Sequence, residues 1–496
     1  MTQIKFGTDG WRGLIADDFT FDNVRRVAGA IASYVIKHED PTRGIVIGYD
    51  TRFLSDRAAR AVAEVIAAAG IPVRLANDYV PTPTVSYNVK KLGAAGGVMV
   101  TSSHNPWNWN GVKFKAKFGG SATPAIMKAI EDELDVETML SDSSPTLAHK
   151  TREDGATTRM SATPTKIPAA KIEEVDLKPA YVEAVSQFAD LDLIRRANFK
   201  FAIDSMYGSG RGVLPKIFDT HGIRYVAIRQ EVNPLFPGIN PEPILPHVAL
   251  LQETVVKEKC HAGLVTDGDA DRIGAVAEDA SFVDSHKCIS VLLNWLLVRK
   301  KWPGDVARAF NTTGMIDRIA AKHGRKLHET SIGFKYIADL MMDHEILIGG
   351  EESGGIGYGR FLPERDGILN ALLLANVMAE EGKPLGQLVA DLQREFGAHY
   401  YGRRDLHVSD EIKNSAIRRA ADRQTAKLGA YPILRKENLD GVKFFLDAPK
   451  HGNGADAWVL LRASGTERML RCYVEAATPG LVEEILESGE RFVRQA

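Results

Sequence analysis

The chain has 496 residues, a net formal charge of −2, and 44% hydrophobic against 25% charged residues. That length exceeds what one hydrophobic core can serve and points to about three or four domains. The balanced charge gives no long-range field, which excludes nucleic acid as a partner on electrostatic grounds.

From Thr20 the apolar positions Val24, Val27, Ala28, Ile31 and Val35 fall at helical spacing, with Thr20 as a candidate N-cap. IVIG at 45–48 then predicts a buried strand, and DRAARAVAEVIAAAG a helix closed by Gly70. VRLA, a further helix from Thr82, and the strand GVMVT at 97–101 continue the alternation. Such alternation predicts a mostly parallel sheet covered on both faces. Residues 137–172 are polar and rich in Ser, Thr and Pro, as expected of a connection between domains. The order strand, polar loop, helix restarts at FKFAID and again at VARAFNTTG. The segment CISVLLNWLLV is too short to span a bilayer and reads as a buried helix. After about residue 400 the apolar runs GVKFFLD, AWVLLRAS and MLRCYVEA follow too closely for helical crossovers, so an antiparallel sheet is expected.

The expected architecture is therefore α/β: three related α/β domains with mixed sheets and a smaller C-terminal α+β domain. The expected boundaries are 1–150, a linker at 151–175, then 176–285, 286–398 and 399–496. Three scattered cysteines, Cys260, Cys288 and Cys472, make neither a disulfide framework nor a CxxC metal site. MTQIKFGTDGWRG has no apolar core, so no signal peptide is expected and the location is read as cytoplasmic.

The sharpest chemical signal is LVTDGDADRIGAV, with Asp267, Asp269 and Asp271 at i, i+2 and i+4 after an apolar run. In an extended loop that spacing turns three carboxylates to one side. Their mutual repulsion calls for a hard cation, Mg²⁺ or Ca²⁺. A calcium loop is rejected, because Arg272 stands where that loop needs glycine. TSSHNP at 101–106 follows a strand, where open α/β sheets gather their ligands, but Asn-Pro and Ser are equally turn and cap residues. No G-x-S-x-G elbow surrounds its serines. Lys113 is either a surface lysine or a cation that faces phosphate. GGEESGGIGYG at 349–359 offers Glu351, Glu352 and Ser353 between glycines, suited to sugar hydroxyls or to a flexible turn. RASGTER at 462–468 is a phosphate cradle or a hairpin loop.

Taken together and in order, FGTDGWRG, TSSHNP, DGDADR, GEESGG and RASGTE resemble the α-D-phosphohexomutase family, along nearly the whole chain. The resemblance implies four domains around a central cleft and a reaction that moves phosphate between C1 and C6 of a hexose. It implies that Ser103 carries a phosphoryl group and that Ser103, Asp267, Asp269 and Asp271 hold Mg²⁺. Arg12, His104, Lys113, Arg272 and Lys335 match positions lining the reacting centre. Glu351 and Ser353 match sugar contacts, and Arg462, Ser464, Gly465 and Thr466 the grip on the idle phosphate. It further implies a bisphosphorylated sugar of the glucose 1,6-bisphosphate type as activator, hexose phosphates as substrates, no nucleic acid or membrane, and a monomer or homodimer. A fourth domain that closes over the cleft, hinged near residue 400, would keep water from the phosphoserine. Some relatives carry histidine where this chain has Gly355; its acid/base role is then absent or passes to Lys335 or His104. GEESGG also departs from the GEQSGH of phosphoglucosamine mutases, which favours glucose or mannose. A metal-dependent sugar phosphatase and a non-catalytic sugar-phosphate binder are the competing kinds of function.

Overall fold

The computed structural model describes residues 4–7, 10–134, 168–450, 452–464 and 468–495. Four sheets follow one another along the chain. The first orders its strands Trp11–Leu14, Trp109–Ala116, Gly96–Val100, Ile45–Tyr49, Val73–Ala76 and Ile172–Val175, with Gly120–Ser121 paired to the second of these. Ile45–Tyr49 runs parallel to both of its neighbours, whereas Trp109–Ala116 is antiparallel to Trp11–Leu14 and Gly96–Val100. The helix predicted from Thr20 spans Phe21–His38, and the Thr20 side chain caps it by accepting from the Asn23 amide.

Most of the expected connection at 137–172 lies outside the described residues. Its end differs from expectation, because Ile172–Val175 is a strand that pairs in parallel with Val73–Ala76. Its sequence IEEV lies at the sheet edge with no fully buried residue, so it carried no apolar signal.

The second sheet orders Phe282–Val283, Ile273–Ala277, Ala262–Thr266, Lys200–Asp204 and Arg224–Ile228; the third orders Leu327–Thr330, Asp305–Ala309, Ile346–Gly350 and Ile356–Gly357. Both mix parallel and antiparallel pairs. The helix Gly367–Glu381 is buried continuously from Gly367 to Ala379 and is apolar all round, as a helix within a core must be. It belongs to a single apolar cluster running from Tyr181 to Phe396, so the second and third units share one core. The fourth sheet is antiparallel throughout, from Tyr400–His407 to Lys427–Leu428, and its own core lies against the helices Asp410–Ala421 and Pro479–Arg494. A small cluster of Phe310, Trp458, Leu460 and Tyr473 joins this unit to the third. Among the described residues, no helix is long and apolar enough to cross a membrane.

Candidate active site

The strand Gly96–Val100 delivers the chain to Ser102 and Ser103, both buried. Ser103 has φ of 51°, a left-handed conformation uncommon for a residue with a Cβ. Three features hold it there. Its amide donates to Thr101 Oγ1 at 2.8 Å, and Asn105 N donates to Ser102 O at 3.0 Å to close the turn. The third is Arg52, whose Nη2 donates to Ser103 O and Asn105 O at 2.6 Å each, while its Nη1 donates to Pro106 O and Trp109 O. Arg52 is fully buried, paired through Nε with Asp50 at 3.2 Å and stacked over Phe236. Asp50 is itself held by the Ser55 and Thr101 hydroxyls.

So presented, the Ser103 hydroxyl donates to Asp267 Oδ2 at 2.8 Å, across 164 positions of sequence. Asp267, Asp269 and Asp271 are fully buried, and their ligand oxygens lie within 4.8 Å of one another. They converge by a means other than the expected extended loop. A tight turn does it, with Ala270 N donating to Asp267 O at 3.1 Å and Ala270 left-handed at φ 57°. Asp267 is pushed well above the usual carboxylate range by burial and by its two acidic neighbours. Asp269 goes the other way: burial opposes its ionisation, but Lys113 outweighs it through charge and a hydrogen bond, helped by Thr82, and holds it well below that range. Lys113 is not a surface lysine. Its Nζ is buried, 2.8 Å from Asp269 Oδ2 and 3.3 Å from Asp271 Oδ2. Thr82 Oγ1 donates to Asp269 Oδ2 at 2.6 Å. Arg365 Nη2 lies 2.7 Å from Asp271 Oδ2. Two carboxylate oxygens, Asp269 Oδ1 and Asp271 Oδ1, remain buried with no hydrogen-bond partner. A hard divalent cation satisfies such orphaned anionic oxygens, so the donor set fits Mg²⁺.

Other expected residues gather at the same place. His104 Nδ1 is 3.4 Å from Ser103 Oγ. Burial, then the charges of Arg272, Arg12, Arg403 and Lys113, hold its pKa well below the usual value, so the ring is neutral. Arg272 donates its amide to Asp267 Oδ1, and its guanidinium lies 3.8–3.9 Å from Asp271 and Asp267. Arg12 Nη1 donates to the Asn105 side chain at 3.0 Å, beside the serine turn.

The glycine-bounded loop docks directly on this centre. Ile273 N, next to Arg272, donates to Gly354 O at 3.0 Å. Buried Glu351 is linked back to the aspartates by Arg365, whose Nη1 is 3.5 Å from Glu351 Oε2. A Cβ placed on Gly355 would meet Arg365 Cδ at 2.2 Å, so the arginine stem fills the space that a side chain at 355 would need. Ser353 is half-buried in the same loop.

Lys335 is not brought to the aspartates. It sits in the first turn of the helix Phe334–Asp343, with its Nζ 5.2 Å from the Tyr336 ring. Ile332, just before that helix, donates its amide to Asp440 Oδ2, and Asp440 Oδ1 accepts from Arg462 Nε at 2.9 Å. Asp440 thus ties the start of that helix to Arg462. Ser464 N donates to Met469 O, which turns the chain between the strands Trp458–Ala463 and Met469–Ala476; Gly465 and Thr466 lie outside the described residues. Sequence reasoning missed Arg52, Thr82 and Arg365. The only local signals for the two arginines are their places, YDTR after a strand and PERDG before a helix.

A four-unit α/β chain whose first unit aims a serine hydroxyl at an acid trio on the second, with a glycine-bounded loop from the third closing beside them, defines a narrow class of protein. Its four parts match four domain families in order: phosphoglucomutase/phosphomannomutase alpha/beta/alpha domain I at residues 3–140, domain II at 179–280, domain III at 284–396 and the C-terminal domain at 419–495. The chain belongs to the phosphoglucomutase/phosphomannomutase family, whose members are mutases of the isomerase class. It is similar to a crystal structure described provisionally as a phosphomannomutase of Thermus thermophilus, with 34% identity, TM-score 0.83 and 99% of both chains covered. The phosphoglucomutase/phosphomannomutase of Thermococcus kodakarensis is 26% identical over 99% of this chain and 98% of its own length. The phosphoglucosamine mutase of Clostridioides difficile is 29% identical over 99% of this chain and 98% of its own.

Proposed function

We propose that this protein interconverts the 1- and 6-phosphates of a hexose, with glucose as the first choice and mannose next, through a phosphoserine at Ser103. The observation that carries the proposal is the 2.8 Å approach of Ser103 Oγ to Asp267, which joins the hydroxyl to a cation-ready trio. When bound at Ser103, Asp267, Asp269 and Asp271, Mg²⁺ supplies charge neutralisation for the transferring phosphoryl group.

The phosphoryl group on Ser103 passes to the free hydroxyl of a hexose monophosphate; the P–O bond to Ser103 breaks as the bond to the sugar oxygen forms, giving a bound bisphosphate. That sugar turns over, and its other phosphate returns to Ser103. Lys113, Arg272 and Arg12 hold positive charge around the transferring group. As the sugar hydroxyl attacks it gives up its proton and Ser103 Oγ takes one as it leaves, and the reverse holds when Ser103 is rephosphorylated; we assign the exchange at Ser103 to His104, whose Nδ1 is 3.4 Å from Oγ. Glu351 and Ser353 hold sugar hydroxyls, and Arg462 with Ser464, Gly465 and Thr466 grips whichever phosphate is idle. A glucose 1,6-bisphosphate type activator restores the phosphoserine when the intermediate escapes.

Intact mass spectrometry tests the proposal: a fraction of molecules about 80 Da heavier, lost in Ser103→Ala together with turnover, supports it. More than trace activity in Ser103→Ala refutes the assignment. Release of inorganic phosphate without isomerisation would favour a phosphatase, and an unmodified Ser103 without turnover a binding protein. Phosphoglucosamine mutases at 28–29% identity match this chain as well as the Thermococcus kodakarensis phosphoglucomutase/phosphomannomutase at 26%, so the loop difference at GEESGG does not exclude glucosamine. Initial rates on glucose 1-phosphate, mannose 1-phosphate and glucosamine 6-phosphate, side by side, decide among the three.

A further inference from the structure

Arg403 lies on the strand Tyr400–His407 that opens the fourth unit. Its Nε and Nη2 are committed to Asp405, the next residue on the same strand face, at 3.0 and 2.9 Å. That fork fixes the plane of the guanidinium and turns its remaining edge toward the second and third units. There Nη1 faces two acids from two other units. Glu352 Oε1 of the sugar loop is at 3.7 Å, and Glu242 Oε1 of the second unit is at 3.8 Å. The same Glu242 oxygen is 3.8 Å from Nη1 of Arg272, whose own Nε faces Asp267 and Asp271. A line of alternating charge therefore runs from the acid trio through Arg272, Glu242 and Arg403 to Glu352, and crosses three units.

Glu352 is the unassigned acid of GEESGG, and its surroundings say what it does. Its Oε2 accepts from Asn311 Nδ2 at 3.3 Å, and its backbone carbonyl accepts from Ser285 Oγ. Its carboxylate is thus directed at Asn311 and at the fourth unit. The separations of 3.7–3.8 Å exceed a hydrogen bond, so the arginine attracts both acids without locking either. Such a contact tightens when the two sides approach by less than about 1 Å.

We infer that Arg403 is a positioning residue for phosphoryl transfer: by drawing Glu352 and Glu242 to one guanidinium edge, it sets the sugar loop and aims Arg272 at the transferring group. The inference rests on the mutase function proposed above. It assigns Arg403 no contact with substrate; its effect passes through Arg272 and the sugar loop.

Steady-state kinetics on Arg403→Gln, Arg403→Lys and Glu352→Gln, with melting curves for each, provide the test. Misplacement on the scale of about 1 Å costs about 10²-fold in rate, so Arg403→Gln is expected to lower kcat by roughly 10- to 100-fold with KM within about threefold. Arg403→Lys, which keeps the charge but loses the fork, is expected to recover part of that loss. In an Arg272→Lys background Arg403→Gln should cost no more than about threefold further, because the two arginines act in one line. Should Arg403→Gln fail to fold, Glu352→Gln reads the same line from its other end and is expected to lower kcat by about 10-fold. A kcat within about threefold of wild type in both Arg403→Gln and Glu352→Gln, or full additivity with Arg272→Lys, overturns the inference and reduces Arg403 to an interdomain ion pair. Wild-type protein with no turnover on any hexose phosphate would instead overturn the mutase function itself, and this inference with it.

Discussion

Arg52→Met isolates the scaffold of the serine turn from its chemistry, because Arg52 bonds the backbone carbonyls of Ser103 and of the residues after it and makes no bond to the Ser103 hydroxyl. The substitution removes donors from four carbonyls, those of Ser103, Asn105, Pro106 and Trp109, and the cation beside buried Asp50. A buried acceptor left without its donor costs about 1–3 kcal/mol, and breaking one side of a buried ion pair about 3–5 kcal/mol. Asp50 still accepts from Thr101, Ser55 and the residue-52 amide, and Asn105, Pro106 and Trp109 are only half-buried, so water can take over three of the four carbonyls; together these limit the damage to about 3–5 kcal/mol in all. The first unit has its own apolar core, so this loss should appear as a melting transition lowered by roughly 10 °C for a unit of that size. Below that transition the left-handed conformation at Ser103 is no longer enforced. A hydroxyl displaced by about 1 Å from its productive position should lower kcat about 100-fold, with substrate KM nearly unchanged. Differential scanning calorimetry, the phosphorylated fraction by intact mass, and initial rates measured well below the transition check the three parts together. Arg52→Met with melting within about 2 °C of wild type and kcat within about threefold would refute the claim that this arginine presents Ser103.

Asp269→Asn should raise the Mg²⁺ concentration for half-maximal activity by about 10- to 100-fold while the fold survives, since Thr82 can still donate to the amide oxygen. A metal titration superimposable on wild type would remove Asp269 from the ligand set. Burial lifts Asp366 from 3.8 to about 7 at the N-cap of the helix Gly367–Glu381. A carboxyl raised by folding favours the fold fully below about pH 4 and loses that contribution as pH climbs through about 7, about 4 kcal/mol over three units. Asp366→Asn keeps the cap and the Tyr181 bond, so its melting temperature should stay flat between about pH 5 and 8 where that of wild type declines; parallel profiles would contradict the shift. Gly355→Ala should push Arg365 off Asp271 and Glu351 and lower kcat at least about 10-fold, with Gly355→Ala/Arg365→Ala no worse than Arg365→Ala alone. Additive losses would show that the two residues do not share that space.

What could be foreseen from sequence follows from how local each interaction is. The trio Asp267, Asp269 and Asp271 lies within one turn of chain, and the helix from Thr20 carries both its cap and its apolar stripe in its own residues, so each was legible. Even there the means was hidden, because nothing in the word Ala marks the left-handed turn at Ala270 that gathers the carboxylates. Arg52, Arg365, Glu242 and Arg403 are single common residues in unrelated segments, and each acquires a role only when folding brings partners from far along the chain beside it. The strand Ile172–Val175 was missed for the opposite reason: an edge strand need bury nothing, so its pattern carries no period. The stretch TSSHNP shows why a turn and a serine aimed at an acid trio need not be rival readings. Ser103 reaches Asp267 because its backbone is forced into the left-handed region at a cost of about 1–2 kcal/mol, and the bonds from Thr101 and Arg52 that sustain this conformation are the turn itself. Substitutions that relax the turn should therefore lower the phosphorylated fraction at Ser103 before they unfold the chain.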